Sequence, residues 1–325
     1  MANKPCKCVL LLALVTLLSC VSLTSVSAGP PSKNKYALIA ASGTYEFLLW
    51  WEPAPGLDDY AEIMGYAPTP YNIYSAIAYH DLLVNDFGWK DKNIKMLLSP
   101  DSTKQNILDG IRWLKEKDGP DSLFFIFIGG HGWTAPDSAS LIPGDEDYYS
   151  NLGSRLGHDP WDEITMCYDS IPTGADPENH NTLYTFLWDD ELKLLFDELE
   201  FEGKIVFFHS ACAGSGFIED IERENMFCHA KCDSDRNEMF WGTGENACLH
   251  DYYLIEAFRG ATGAEIPFCD LDMDPDINGD GKVSVEEAHS WMIAAMDATD
   301  PTIIGQGGGP TAIIVLDGIE GETFL

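Results

Sequence analysis

Basic residues are scarce in this sequence. Lysine and arginine together number 19 of 325 residues, against 53 aspartates and glutamates, which gives a formal net charge of −34. A surface this acidic repels a phosphate backbone, so nucleic-acid binding is excluded as an expected function. An anionic membrane surface is disfavoured for the same reason. Cationic substrates and divalent metal ions suit this charge better.

Long apolar runs are missing after the N-terminal region, so no later segment is expected to cross a membrane. Residues 1–28 are typical of a signal peptide, with Lys4 and Lys7, an apolar run and a small-residue cleavage site ending at Ala28. Two alternatives are a lipid attached to Cys20 and an uncleaved N-terminal anchor helix. The sequence therefore predicts a secreted protein, which touches a membrane only if the anchor or the lipid is present.

Short apolar segments alternate with helical patterns from residue 36 onward. Those with the character of buried strands are 36–41, 94–98, 123–128, 204–208 and 311–316. Those with helical periodicity are 71–87, 103–117, 188–200, 249–259 and 286–296. The alternation predicts an α/β domain over 36–325, with a mostly parallel sheet flanked by helices. A linker is expected at 29–35 and a polar insertion at 134–182.

Two central strands end in glycine-rich sequences that carry reactive side chains. One strand continues into Gly129-Gly130-His131-Gly132, and the other continues into His209-Ser210-Ala211-Cys212. Reactive groups in α/β sheets collect at the carboxyl ends of the strands, so His131 and Cys212 are expected to meet as base and nucleophile. The imidazole would take the thiol proton, and the thiolate would attack a carbonyl carbon. The backbone N–H groups of Gly132 and Cys212 are the candidates for the oxyanion hole.

These motifs and their order resemble the caspase-like fold of cysteine peptidases, especially its legumain-like and metacaspase-like members. The resemblance covers most of residues 36–317. It is carried by the segments Tyr36–Ala41, Asp121–Gly132, Leu141–Asp145 and Asp190–Leu192 and by the strand before Cys212. It implies an endopeptidase that acts on protein or peptide substrates, with His131 as the general base and Cys212 as the nucleophile.

Three features depart from the pattern of that family. His131 and Cys212 are separated by 81 positions, against roughly 50 in caspases, although the insertion at 134–182 can hold the difference. Relatives often carry an acidic residue two places before the nucleophile, where it lines the pocket for the substrate residue preceding the cut. This chain has Ser210 there, so a preference for Arg or Lys is not established. The residues at 213–216 match the family only loosely.

A calcium-binding loop is predicted at residues 276–287, which match the twelve-residue EF-hand pattern at its key positions. Gly281 supplies the turn at position 6. We expect side-chain oxygen ligands from Asp276, Asn278, Asp280 and Glu287, at positions 1, 3, 5 and 12. We also expect the carbonyl of Lys282 at position 7 and a water-mediated contact of Ser284 at position 9. A single site suits a structural brace for the domain better than a switch.

Six cysteines follow the expected signal peptide, at positions 167, 212, 228, 232, 248 and 269. A secreted location permits disulfides, but the sequence does not determine their pairing. If Cys212 is kept as a thiol, one more cysteine must stay unpaired. Zinc binding around Cys228-His229 is less expected than disulfides, because no second metal-binding pair accompanies it.

Two other functions fit the same residues. The segment Ser210–Gly214 loosely resembles the nucleophile elbow of an α/β-hydrolase, with Cys212 in place of serine. In that fold the histidine follows the nucleophile, so His250 or His289 would be the base. The other alternative is a catalytically silent calcium-binding surface module of the same fold, which an unreactive Cys212 would favour.

Overall fold

A computed structural model describes most of the chain from residue 34 onward, and the structural statements below concern its described residues. These are 34–44, 70–136, 161–170, 185–212, 214–230, 248–261, 269, 271–299, 314–319 and 321–325. The expected signal peptide and most of the insertion at 134–182 lie outside them. The first strand begins at Asn34, so the last two residues assigned to the linker belong to the sheet instead.

The strands are numbered in chain order. They are β1 (Asn34–Ala41), β2 (Ile94–Leu98), β3 (Ser122–Gly129), β4 (Gly132–Pro136), β5 (Trp161–Thr165), β6 (Leu187–Trp188), β7 (Lys204–Ser210), β8 (Met226–Ala230) and β9 (Ile314–Asp317). Six of them form the main sheet in the order β2-β1-β3-β7-β8-β9. The first five are parallel, and β9 joins the edge antiparallel. The predicted mostly parallel sheet is therefore confirmed.

The helices are likewise numbered along the chain. They are α1 (Pro70–Asp81), α2 (Lys104–Lys115), α3 (Asp189–Leu199), α4 (Gly214–Ile221), α5 (Leu249–Phe258) and α6 (Val285–Asp297). A π-helical turn at Leu82–Asp86 continues α1. At the start of α2, the Thr103 side chain accepts a hydrogen bond from the Asn106 N–H and so caps the helix. None of the helices in the described part of the chain is long and apolar enough to cross a membrane.

The main sheet separates two hydrophobic layers. Successive residues of β3 point to opposite faces, so Phe125 and Phe127 pack with α1, α5 and α6, whereas Phe124 and Ile126 pack with α2, α3 and α4. The Tyr79 ring of α1 contacts Phe125 and Phe127 at centroid distances of 5.4 and 5.0 Å. Because both faces are covered, the middle residues of the central strands β3 and β7 are apolar.

A second, antiparallel sheet begins directly after β3. It has the order β4-β5-β6. β4 overlaps the start of the region interpreted as an insertion, β5 lies within that region and β6 follows it. Only two residues, Gly130 and His131, separate β3 from β4. The small sheet therefore lies against the carboxyl edge of the main sheet, where the predicted reactive residues are.

Candidate active site

His131 and Cys212 follow two neighbouring strands at the same distance. Gly129, the last residue of β3, pairs with Ser210, the last residue of β7, and His131 and Cys212 each come two residues later. Paired strands lie about 4.8 Å apart. The two predicted reactive residues therefore emerge side by side at the carboxyl edge. Both are largely enclosed, with 8% of His131 and 7% of Cys212 exposed.

The backbone around His131 is held between the two sheets. The Gly130 N–H donates to the Ser210 carbonyl of β7 at 3.2 Å, and the Met166 N–H donates to the His131 carbonyl at 2.8 Å. These bonds tie the turn that carries the imidazole to the nucleophile strand on one side and to the end of β5 on the other. The position of His131 is therefore fixed by its main chain.

Gly132 lies against the backbone of Cys212. A β-carbon on Gly132 would fall 1.9 Å from the Cys212 carbonyl oxygen, so only glycine fits this approach. Gly132 pairs with Thr165 of β5, and the Met166–His131 bond beside this pair makes it a non-hydrogen-bonded pair. The Gly132 N–H therefore points away from β5 and is not used by the small sheet. The structure thus brings together all three residues predicted to act on a carbonyl group.

Two other described cysteines are unsuited to nucleophilic chemistry. Cys167 and Cys228 are thiols that are fully buried, and burial raises the pKa of each well above its ordinary value. A buried thiol with a raised pKa is inert, because only the thiolate attacks. Cys228 and His229 are neighbours on β8 and point to opposite faces of the sheet, so they do not share a metal ion.

A buried carboxylate lies beside the nucleophile strand, and sequence reasoning missed it. Asp251 is 1% exposed and accepts hydrogen bonds from the Ser210 and Tyr79 hydroxyls, each at 2.9 Å. Burial and the charge of Asp251 raise the pKa of Tyr79 well above 10, so Tyr79 remains a donor. Asp251 comes from α5, far along the chain from Ser210. No pattern in the sequence joins the two positions.

The two histidines of the α/β-hydrolase alternative lie on the face of the main sheet that α5 and α6 cover. His289 of α6 and His250 of α5 both pack against the His229 ring, at centroid distances of 5.2 and 5.9 Å. Burial lowers the pKa of His289 to about 4, so this imidazole is neutral at pH 7. His250 Nε2 is 3.1 Å from Asp251. His289 thus packs among interior rings on the α5 and α6 side.

The loop predicted to bind calcium, residues 276–287, folds back on its first acidic residue. The Asp276 carboxylate accepts hydrogen bonds from the N–H groups of Asp280 at 3.0 Å and Gly281 at 2.8 Å. Gly279 and Gly281 have φ values of 74° and 85°, which favour glycine. The tight turn that the EF-hand pattern requires at position 6 is therefore present.

Glu287 connects the end of this loop to its beginning. Its two carboxylate oxygens accept hydrogen bonds from the Asn278 N–H at 2.9 Å and the Ser284 N–H at 3.0 Å. Ser284 in turn caps α6 through a capping box with Glu287. Residues 271–275 are not helical, so the loop has an exiting helix without an entering helix directly before it. Its all-oxygen donor set fits a calcium ion.

A second group of carboxylates was not anticipated from the sequence. Asp189 and Asp190 at the start of α3 and Asp220 near the end of α4 offer oxygens within 4.8 Å of one another. The Asp189 carboxylate also accepts hydrogen bonds from the N–H groups of Glu163 and Asp190, at 2.7 and 2.8 Å. Carboxylate oxygens at this spacing are chemically able to hold a divalent cation. Asp189 and Asp190 are adjacent, but Asp220 comes from a different helix, so no local pattern in the sequence reveals the group.

Comparison with known proteins identifies the fold. No protein-family model matches the sequence. The chain is similar to metacaspase-1 of Plasmodium berghei (strain Anka), with 28% identity over 81 residues. This match covers 22% of the chain and only 14% of the length of that metacaspase.

Two solved structures align with most of the chain. One, described as pro-sf-caspase-1, has a TM-score of 0.50 and 10% identity, with 91% of this chain and 96% of that chain covered. The other is a crystal structure of a Geobacter sulfurreducens protein, with a TM-score of 0.48, 13% identity, and 84% and 97% of the two chains covered. The chain has the caspase-like α/β fold, so the predicted fold class is confirmed.

The contact between Gly132 and Cys212 leads to a first testable expectation. Gly132→Ala places a β-carbon on the Cys212 carbonyl, so the small sheet must move away from β7. We expect Tm to fall and Cys212 to become more accessible to a thiol reagent. The matched control is Gly119→Ala, whose β-carbon would meet nothing closer than 3.9 Å. Unchanged stability and reactivity in Gly132→Ala would contradict this packing.

Proposed function

We propose that this protein is a cysteine endopeptidase in which His131 and Cys212 form a catalytic dyad. The observation that carries the proposal is the alignment of β3 and β7, which brings both residues to one edge of the sheet. The Gly132 N–H lies beside them and is not used by β5. A thiol, a base and a backbone donor around one point are the minimum for acyl transfer from an amide.

Each step of the proposed reaction uses groups at this edge. His131 takes the proton of the Cys212 thiol, and the thiolate attacks the carbonyl carbon of the substrate. The N–H groups of Gly132 and Cys212 stabilise the oxyanion of the tetrahedral intermediate. The intermediate collapses to a thioester as the amine leaves with the proton from His131. Water, activated by His131, then hydrolyses the thioester and restores the thiol.

The comparisons support the chemistry in a limited way. The matched protein of Plasmodium berghei is named a metacaspase, and the structure with the same fold is named a caspase. The match to the metacaspase spans a small part of that protein, so the peptidase activity and the protein or peptide substrate remain our proposal for this chain. Legumain-like specificity for Asn and metacaspase-like specificity for Arg or Lys are both compatible with Ser210.

We further propose that the protein is secreted and that calcium binds the loop at 276–287. The loop leads directly into α6, whose Trp291 and Met292 are fully buried in the core. The C-terminal residues are also attached here. The Thr323 carbonyl accepts a hydrogen bond from the Val285 N–H, and the Thr323 N–H donates to the Glu286 carboxylate. An ion bound in the loop would therefore brace α6 and the chain end against the sheet.

Cleavage of a peptide panel tests the enzymatic proposal. The panel places Asn, Asp, Arg or Lys before a fluorogenic leaving group, and the assay contains calcium. We expect cleavage that is lost in Cys212→Ala and in His131→Ala, since each removes one member of the dyad. Cys228→Ala is the matched control, because it removes a buried thiol that the reaction does not use. A folded, calcium-loaded protein that cleaves no member of the panel would favour the catalytically silent module.

Removal of calcium tests the brace. Saturating calcium should stabilise the folded state by about 2.7 kcal/mol when its concentration is a hundred times Kd. We therefore expect chelation to lower Tm and activity together.

Asp280→Ala should abolish the calcium-dependent rise in Tm, whereas Asp272→Ala, at another exposed acidic residue just before the loop, should not. A rise in Tm that survives in Asp280→Ala would place the ion elsewhere. Lost activity with an unchanged Tm would refute a bracing role.

A further inference from the structure

A buried polar contact beside the active site takes no part in the proposed reaction. Thr165 at the end of β5 and His209 of β7 are each 1% exposed, and Thr165 Oγ1 lies 2.8 Å from His209 Nε2. The His209 ring is stacked on Phe217 of α4, with centroids 4.2 Å apart and planes within 16°. The imidazole is therefore held at a fixed angle and presents Nε2 to the Thr165 hydroxyl.

This contact lies next to the candidate oxyanion hole. Thr165 is the β5 partner of Gly132, and Gly132 packs on the backbone of Cys212. Residues in a non-hydrogen-bonded antiparallel pair have Cα atoms about 4.5 Å apart, so Thr165 and Gly132 move together. The small sheet thus touches β7 and the residues that follow it at two points. One point is the Gly132–Cys212 contact, and the other is the Thr165–His209 hydrogen bond three residues earlier.

Glu163 attaches the same strand at a separate place. Its carboxylate lies so close to Gly216 of α4 that a β-carbon there would fall 1.9 Å from Oε2. Glu163 is two residues before Thr165, so its side chain is on the same face of β5. Loss of the Thr165 hydrogen bond therefore leaves the remote part of β5 docked on α4. It weakens only the attachment to β7 of the strand end that pairs with Gly132.

We infer that His209 and Thr165 are positioning residues that set the Gly132 N–H at the distance from Cys212 needed to stabilise an oxyanion. This inference rests on the proposed peptidase function. Without the hydroxyl, the hydrogen bond that joins His209 of β7 to β5 is lost, and the contact between the strands is destabilised. The Gly132 donor is then less well placed, whereas the Gly130–Ser210 hydrogen bond still holds the turn that carries His131 against β7. Neither residue touches the reacting atoms.

The experiment compares Thr165→Val, which removes the hydroxyl at nearly constant volume, with Thr165→Ser, which keeps it. We expect Thr165→Val to lower kcat by about 10- to 100-fold with little change in KM, less than the 10²–10³-fold cost of removing a whole oxyanion donor. Thr165→Ser should stay close to wild type. The matched control is Thr299→Val, which removes another buried hydroxyl that bonds Tyr253 at 2.7 Å, at the end of α6.

Two reagents separate positioning of the oxyanion from an effect on the nucleophile. A peptide aldehyde adds to Cys212 as a hemithioacetal whose oxygen occupies the oxyanion hole, whereas iodoacetamide alkylates the thiolate without forming an oxyanion. We expect Thr165→Val to weaken aldehyde binding by the same factor as kcat and to leave the alkylation rate unchanged. Equal losses in both reactions, or a kcat equal to that of Thr299→Val, would overturn the inference.

A second pair of variants guards against a misfolded Thr165→Val. His209→Gln keeps an amide that can hydrogen-bond the Thr165 hydroxyl as donor or as acceptor, whereas the side chain of His209→Leu can do neither. We expect the Gln variant to retain most of the aldehyde affinity that the Leu variant loses, and equal affinities would overturn the inference. Failure of the proposed function looks different, because the wild-type protein would then neither cleave peptides nor bind the aldehyde. That result would overturn both proposals.

Discussion

The parallel pairing of β3 with β7 is the constraint on which the rest of the site depends. It aligns Gly129 with Ser210, and this register brings His131 and Cys212, two residues further on, to the same edge of the sheet. A shift of one residue would turn His131 and Cys212 to different faces and bury the wrong side chains in the two hydrophobic layers. The register is itself enforced by those layers, because successive apolar residues of β3 pack alternately against the helices on the two sides of the sheet.

The end of β7 is fixed by polar contacts on both faces of the sheet. His209 points to the α4 side and bonds Thr165, whereas Ser210 points to the α5 side and bonds the buried Asp251. Hydrogen bonds of buried groups are costly to break, since the partner left behind is desolvated. The two contacts therefore fix the last two residues of β7, directly before the segment that contains Cys212.

Most strands of the main sheet and the residues at the ends of β3 and β7 could be predicted, because each lies in a continuous segment with its own local pattern. The turn of the loop at 276–287 could be predicted for the same reason. Strand β8 was missed because Cys228 and His229 suggested metal or disulfide chemistry rather than a buried strand. The small sheet was missed because β4 and β5 lie in a region whose polar composition indicated an insertion. Asp251 and the group around Asp189 depend on contacts between distant segments, which no local pattern reveals.

The most direct test of the account is the pH dependence of alkylation of Cys212 in wild type and in His131→Ala. Iodoacetamide is the reagent, and peptide mapping identifies the modified cysteine. If His131 is the base for Cys212, the wild-type thiol should react at a lower pH than the thiol of the variant, because a nearby imidazolium favours the thiolate. Identical profiles in the two proteins, or modification of another cysteine first, would contradict the dyad.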